Sequence, residues 1–427
     1  MSNARRNKTT PVLSVLGLVG ACGVGWMIST SVMHSEIVYE SAATSTAASS
    51  SAQHLASAQE AASSTGEKTI VYPAVEGNAA HVKMPEVVKA VYMSQCVAGA
   101  PGIRAKLVEF VETSELNAIV IDIKDSTGGV SFPSDDPTLA PYVSDECGAY
   151  DMKAFIESLH EKSIYVIGRI TVFQDPLFAN KHPELAVQRA CGPSTSSGQV
   201  SEETCGMWKN NGGLSFVDVG AKPFWDYIAH LSEVSYRQIG FDELNFDYIR
   251  FPSDGPISEA VYTHSNGKTK TEAVEEFFAY LHEKLQPAGS RVGENAPVMS
   301  ADMFGMVSSH EDDLGIGQVL ESALPYFDFV APMIYVSHYP KGFNGYSNVN
   351  DHVYDIVYSE TKHAMARAKA AGYSEDKIRP WLQSFDYPVS YTPAMVESQI
   401  KAINDVGMRS YFFWDAANKY TSLREAL

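Results

Sequence analysis

The sequence predicts an α/β chain folded as a (β/α)8 TIM barrel, preceded by a transmembrane helix and a flexible linker. Three observations carry this. Strand-like and helix-like segments alternate eight times between about residue 88 and the carboxyl end, and one long alternation favours a closed parallel barrel over an open doubly wound sheet. In the stretch 240–253, a period of two puts Glu243, Asn245 and Asp247 on one face and Leu244, Phe246 and Tyr248 on the other. A strand polar inside and apolar outside suits a barrel sheathed in helices. Polar groups also recur at the carboxyl ends of the predicted strands, the end where such barrels place reactive groups.

The 427 residues exceed the roughly 250 that one barrel needs. Arg5, Arg6 and Lys8 precede an uncharged apolar run over 11–33, and its 23 residues are enough to span a bilayer, where about 20 suffice. The basic flank places 1–10 in the cytoplasm and the rest outside, single-pass. Ser29 to Ser31 are small enough for a signal-peptide cleavage site, which would release a secreted protein, but the run is long for that and favours an anchor. Residues 34–84 form the linker; 41–66 are rich in Ser, Ala and Thr and cannot bury a core. The barrel occupies 85–427.

Its elements follow in order. The first strand is predicted over 88–94 and its helix over 102–115. The second strand spans 118–124, with a helix over 151–162; the third spans 164–170. A long connection to about 219 holds Trp208 and Asn210, and long inserts at strand ends shape binding sites. A helix over 222–239 leads into the fourth strand. Beyond it lie a helix over 271–285, a fifth strand over 298–304 and a short helix over 318–324. The sixth strand spans 327–336, and a helix covers 352–371. A seventh strand over 378–385, a helix over 393–406, an eighth strand over 409–415 and a closing helix over 419–427 complete the chain.

With 45% hydrophobic and 11% aromatic residues the composition is globular. The net charge of −19 would repel phosphate backbones, so nucleic acid is excluded as a partner and a neutral substrate fits better. Cys22 lies in the apolar run. Cys96, Cys147, Cys191 and Cys205 form an even set able to make two disulfides outside the cell, with Cys191 and Cys205 the favoured pair. There is no paired Cys or His spacing for a metal and no nucleophile elbow, and Tyr262 stands where a phosphate loop ending at Gly267-Lys268-Thr269 would need glycine. No metal or cofactor is expected, and the chain is read as a monomer.

The strand ends carry Asp122 and Lys124, Arg169, Asp247 and Arg250, Asp302, Tyr335, Gln383 and Asp386, and Trp414 and Asp415. Sugar rings stack on aromatics and take many hydrogen bonds. Trp208, Tyr335, Tyr339, Tyr387, Trp414, Asn210, Asn245 and Gln383 suit them, whereas Trp381 also reads as core. Glycoside hydrolysis needs two carboxyls. Asp247 is expected as nucleophile or base, kept ionised by Lys124, Arg169 or Arg250. Asp302 is expected as the acid, its environment raising its pKa, and Asp122 is the rival. Glu243, about 13 Å deeper at the usual rise, is expected in a buried polar contact. Lys124, Arg169, Trp208, Asn245, Arg250, Tyr335, Gln383, Trp414 and Asp415 are expected to bind substrate.

Asp-Tyr-Ile-Arg-Phe-Pro at 247–252, after Gly-Phe-Asp-Glu, resembles the glycoside hydrolase domain of bacterial exported proteins called the DUF4015 group. Similar to it too are Ala-Ile-Val-Ile-Asp-Ile-Lys-Asp at 118–125, Gly-Arg-Ile-Thr-Val-Phe-Gln-Asp at 168–175 and Ala-Pro-Met-Ile-Tyr at 331–335. The resemblance runs from about residue 89 to the end and implies a TIM barrel acting on extracellular or cell-wall polysaccharide. It departs from α-amylase-like barrels, which carry Arg two residues before the strand-four Asp; here that position is Asn245. The expectation is a membrane-anchored glycosidase cleaving a polysaccharide or oligosaccharide. The alternative is a non-catalytic glycan-binding protein on the same barrel; a deacetylase would need metal ligands.

Overall fold

A computed structural model of the chain describes residues 71–192 and 204–427. The expected cytoplasmic stretch 1–10, the apolar run 11–33 and the linker as far as residue 70 lie outside the described residues. Among the described residues no helix is long and apolar enough to cross a membrane.

Eight strands form the predicted barrel: β1 (Lys89–Met93), β2 (Ala118–Lys124), β3 (Tyr165–Thr171), β4 (Glu243–Asp247), β5 (Val298–Phe304), β6 (Phe329–Ile334), β7 (Trp381–Gln383) and β8 (Tyr411–Trp414). They pair in sequence order, and β1 closes the ring by running parallel to β8. Around them lie α1 (Pro101–Glu112), α2 (Met152–His160), α3 (Lys222–Val234), α4 (Lys270–Leu285), α5 (Leu320–Ala323), α6 (Val353–Ala370), α7 (Pro393–Asp405) and α8 (Thr421–Ala426). Every predicted strand and helix is present, most a few residues shorter than expected.

Two cores follow from strand alternation. Ala90, Ala118, Val120, Tyr165, Ile167, Ala331, Trp381 and Phe412 fill the interior of the ring. Val91, Ile119, Ile121, Val166, Leu244, Phe246, Met299, Ala301, Val330 and Phe413 face outward into the larger core beneath the helices. The outer core is where most apolar area leaves water, and it supplies the main driving force for closure. α3 runs into one wider turn, Ser235–Ile239, and stops at Gly240, whose φ of 104° delivers the chain into β4. A side chain there would be strained.

The connections after β3 and β4 share a small antiparallel sheet of Gln188–Ala190, Thr204–Met207 and Ala260–Val261. Cys191 and Cys205 are disulfide-bonded beside it, and Cys96 pairs with Cys147 between the connections after β1 and β2. Both disulfides therefore brace the carboxyl-end face.

The linker predicted over 34–84 ends sooner than expected. The Val82 N–H donates to Asp242 Oδ1 at 2.8 Å, Ala79 N–H donates to the Arg237 carbonyl at 2.9 Å, and the His81 ring stacks on Tyr236 at 4.1 Å. This part of the stretch is docked on the barrel rather than free.

Candidate active site

β2, β3, β4 and β5 are successive neighbours, and each turns one ionisable group inward near its carboxyl end: Asp122, Arg169, Asp247 and Asp302. The period-two reading of β4 holds from Glu243 to Asp247. Phe246 pairs with Ala301, so Asp247 and Asp302 follow side by side on adjacent strands.

Arg169 organises the first half of the site. Its Nε and Nη2 donate to Asp247 Oδ2 at 3.1 and 2.5 Å, and its Nη1 donates to Asp122 Oδ1 at 2.7 Å. The guanidinium also lies over the Trp414 ring, 5.0 Å from its centre. Burial opposes its charge, yet Asp247 and Asp122 outweigh that and hold Arg169 well above its ordinary pKa. Of the three cations expected to hold Asp247, Arg169 is the one that does so.

Asp122 has both oxygens engaged, since the Tyr92 hydroxyl donates to Oδ2 at 2.5 Å. Burial pushes its carboxyl up to about 6 against the pull of Arg169. Tyr92 in turn stacks on Trp414, ring centres 3.9 Å apart.

Asp302 is in a different environment. Its Oδ1 accepts from Asn245 Nδ2 at 2.8 Å and from the Trp381 indole N–H at 2.7 Å, while Oδ2 has no partner among the described residues. Burial drives this carboxyl well above the usual range, and the charge of Asp247 pushes the same way; the bonds from Asn245 and Trp381 and the charge of Arg169 oppose them. The arrangement can pair a carboxylate held against a cation with a carboxyl kept protonated, the combination acid and base chemistry needs.

Below the mouth, Glu243 Oε1 accepts from Arg379 Nη2 and from the Ser300 hydroxyl, both at 2.6 Å, and the Tyr165 hydroxyl donates to Oε2 at 3.2 Å. It makes the buried polar contact expected of it.

Five residues expected to bind substrate are occupied elsewhere. A register shift between Asp122 and Lys124 breaks the alternation of β2, so Lys124 points outward and its Nζ donates to buried Asp175 at 2.8 Å. Trp208 is fully buried in the insert, packed on Phe216, with its N–H on the Pro256 carbonyl. Asn245 is buried and its Nδ2 donates to Asp302 and Ser300, while its Oδ1 has no partner among the described residues. Gln383 ties two loops together, accepting from the Ser337 N–H and hydroxyl and donating to the Phe385 carbonyl. Asp415 accepts the backbone N–H groups of Ala417, Lys419 and Tyr420 and so shapes the turn after β8.

Arg250, Tyr335 and Trp414 do gather at the mouth. Trp414 and Tyr335 are half-buried, and the Tyr335 hydroxyl is raised by burial and by the charges of Asp302 and Asp247. Beside Tyr335, His338 stacks on Tyr387 at 5.5 Å and meets Phe385 edge-on. Tyr248 packs against the outer core, as its predicted face requires. At φ 52° it leaves the strand conformation, and its N–H donates to Asp247 Oδ1 at 2.6 Å. Tyr92 was also missed as a site residue, although counting by twos from Ala90 puts it on the inward face.

An eight-stranded parallel barrel with carboxyls collected at its mouth defines the class: a TIM-barrel, glycoside hydrolase-like protein. Residues 90–420 match the DUF4015 family, described as "Putative glycosyl hydrolase domain", and the chain belongs to that family. No curated protein matches it. Among solved structures, the glycoside hydrolase domain of PgaB (BpsB) from Bordetella bronchiseptica is similar over 80% of this chain and 98% of that one, with TM-score 0.51 and 13% identity. Alpha-L-fucosidase isoenzyme 2 from Paenibacillus thiaminolyticus is similar over 80% of this chain and 48% of that one, with TM-score 0.50 and 13% identity. At such identities the likeness is one of fold. A hypothetical protein from Ruminiclostridium thermocellum ATCC 27405 is 30% identical over 53% of this chain and 98% of that one, with TM-score 0.41.

Proposed function

We propose that the barrel hydrolyses glycosidic bonds in a polysaccharide or oligosaccharide, with Asp247 and Asp302 as the reacting pair. The observation that carries the reading is the contrast between two neighbouring carboxyls: Asp247 lies against Arg169, and Asp302 lies buried with two N–H donors on one oxygen. Because Oδ1 of Asp302 takes both donors, the proton resides on Oδ2 and is given to the leaving glycosidic oxygen. Asp247 supplies the negative charge opposite, as nucleophile or as the base that activates water. Asp122 acts through Arg169, which it helps to hold. Trp414 and Tyr335 supply aromatic faces for sugar rings.

The two disulfides support a place in an oxidising compartment. With the apolar run 11–33 they favour a protein tethered to the membrane with its barrel outside.

The test is release of reducing ends from a panel of cell-wall and exopolysaccharide fragments by the purified barrel. Release that is lost in Asp247→Asn and in Asp302→Asn supports the reading. Tight binding without release by the unaltered protein would favour the non-catalytic glycan-binding alternative.

A further inference from the structure

Arg250 stands apart from the other buried cations of the barrel. It is 6% exposed, like Arg169 at 5%, but no carboxylate pairs with it among the described residues. Its Nη1 donates to the neighbouring Phe251 carbonyl at 3.0 Å. The guanidinium is flanked instead by two rings, those of Tyr248 and Phe304, each centred 4.7 Å away. Those rings mark its position: Tyr248 follows Asp247 directly, and Phe304 lies two residues beyond Asp302 on β5. The charge therefore sits at the lip of the mouth, just past the carboxyl pair.

A guanidinium taken out of water without a counter-ion is costly, and the cost is recovered when an anion arrives. Arg169 cannot receive one, because Asp122 and Asp247 already occupy it. Arg250 has N–H donors to spare, in the planar fork that matches a carboxylate at two points. A neutral hydroxyl would need no buried full charge to meet it.

We propose that Arg250 anchors a carboxylate of the substrate, so that the glycan acted on carries an acidic sugar beside the scissile bond. This rests on the glycosidase reading and narrows it. The net charge of −19 pointed to a neutral substrate, but that charge belongs to the whole surface, whereas Arg250 is a local unpaired cation at the site.

The experiment measures binding of tetrasaccharides of galacturonate, of mannuronate and of glucuronate–N-acetylglucosamine repeats to the Asp302→Asn protein. Each is compared with the same tetrasaccharide after its carboxyls are reduced to alcohols. At least one acidic tetrasaccharide should bind, and reduction should weaken it about tenfold or more. Adding Arg250→Gln should weaken the acidic form by a similar factor and abolish the difference made by reduction; Arg250→Lys should keep part of it. The proposal is overturned if none of the acidic tetrasaccharides binds, if reduction makes no difference, or if Arg250→Gln keeps the preference. If Arg250→Gln does not fold, the reduction comparison and Arg250→Lys decide. Cleavage confined to neutral glycans would sink this inference and leave the hydrolase reading standing; carboxylate-selective binding with no cleavage of any glycan would do the reverse.

Discussion

Trp381 on β7 reaches past β6 to donate its indole N–H to Asp302 on β5, at 2.7 Å. The bond fixes which oxygen of the carboxyl is committed and which is free. In Trp381→Phe most of the packing in the ring interior is kept but the donor is lost. Since that bond opposes the rise in the Asp302 pKa, its removal lets the pKa climb. The basic limb of the pH–rate profile should therefore move to higher pH, with kcat lowered about tenfold or more and KM little altered. A purely structural role would lower the amount of folded enzyme and leave the profile in place.

Arg169 compensates two buried carboxyls at once. Replacing it by Met leaves Asp122 and Asp247 without their cation, and breaking a buried pair in this way costs about 3 to 5 kcal/mol. Urea titration should show a midpoint shifted down accordingly, with the loss easing at low pH as the two carboxyls take up protons. A variant as stable as the parent would remove Arg169 from its central place.

Lys124 and Asp175 are both fully buried, 2.8 Å apart, on the helix side of the ring. Asp175 also caps the short helix Pro176–Lys181 by accepting from the Phe178 N–H at 2.8 Å. Lys124→Met should destabilise by about 3 to 5 kcal/mol, measured by denaturant titration, while the folded fraction binds glycans as the parent does. A selective loss of glycan affinity would return Lys124 to the site.

How far the sequence could be read shows in these same residues. The alternation of β4 correctly sent Glu243, Asn245 and Asp247 inward, because an unbroken strand leaves a side chain only two directions. The same rule misplaced Lys124, since a register shift after Asp122 reverses the parity and carries no composition signal. Tyr248 takes a left-handed backbone that ends the strand one residue earlier than the apolar pattern does, although its ring still packs against the outer core. Asp415 and Gln383 have the residue types of a binding site but are consumed by backbone groups of neighbouring turns. Which polar side chain at a strand end meets backbone and which meets ligand depends on loop geometry, and one sequence does not encode that legibly. Trp381 read as core, and it is core; its second role follows from an adjacency between non-consecutive strands.

Away from the mouth, Glu360 on α6 is buried against the hydroxyls of Ser309 and Tyr339, with His363 at 3.5 Å. Burial pushes its carboxyl up to about 7 from 4.5. A carboxyl raised in the folded state contributes stability that is complete below its unfolded pKa and lost as pH rises through the folded value. Stability should therefore fall between about pH 4.5 and pH 7, by an amount on the order of 3 kcal/mol. Glu360→Gln should flatten this part of the pH–stability curve, and an unchanged slope would show that Glu360 is not its source.

The most direct test of the carboxyl pair uses one variant and two leaving groups. Reducing-end release from the glycan that the parent protein cleaves should fall about a thousandfold or more in Asp302→Asn. An aryl glycoside of the same sugar, whose phenolate departs without protonation, should still release that phenolate in the first turnover at a rate near that of the parent. Full activity of Asp302→Asn on the natural linkage, or equal losses on both substrates, would contradict the assignment of Asp302 as the proton donor and of Asp247 as its partner.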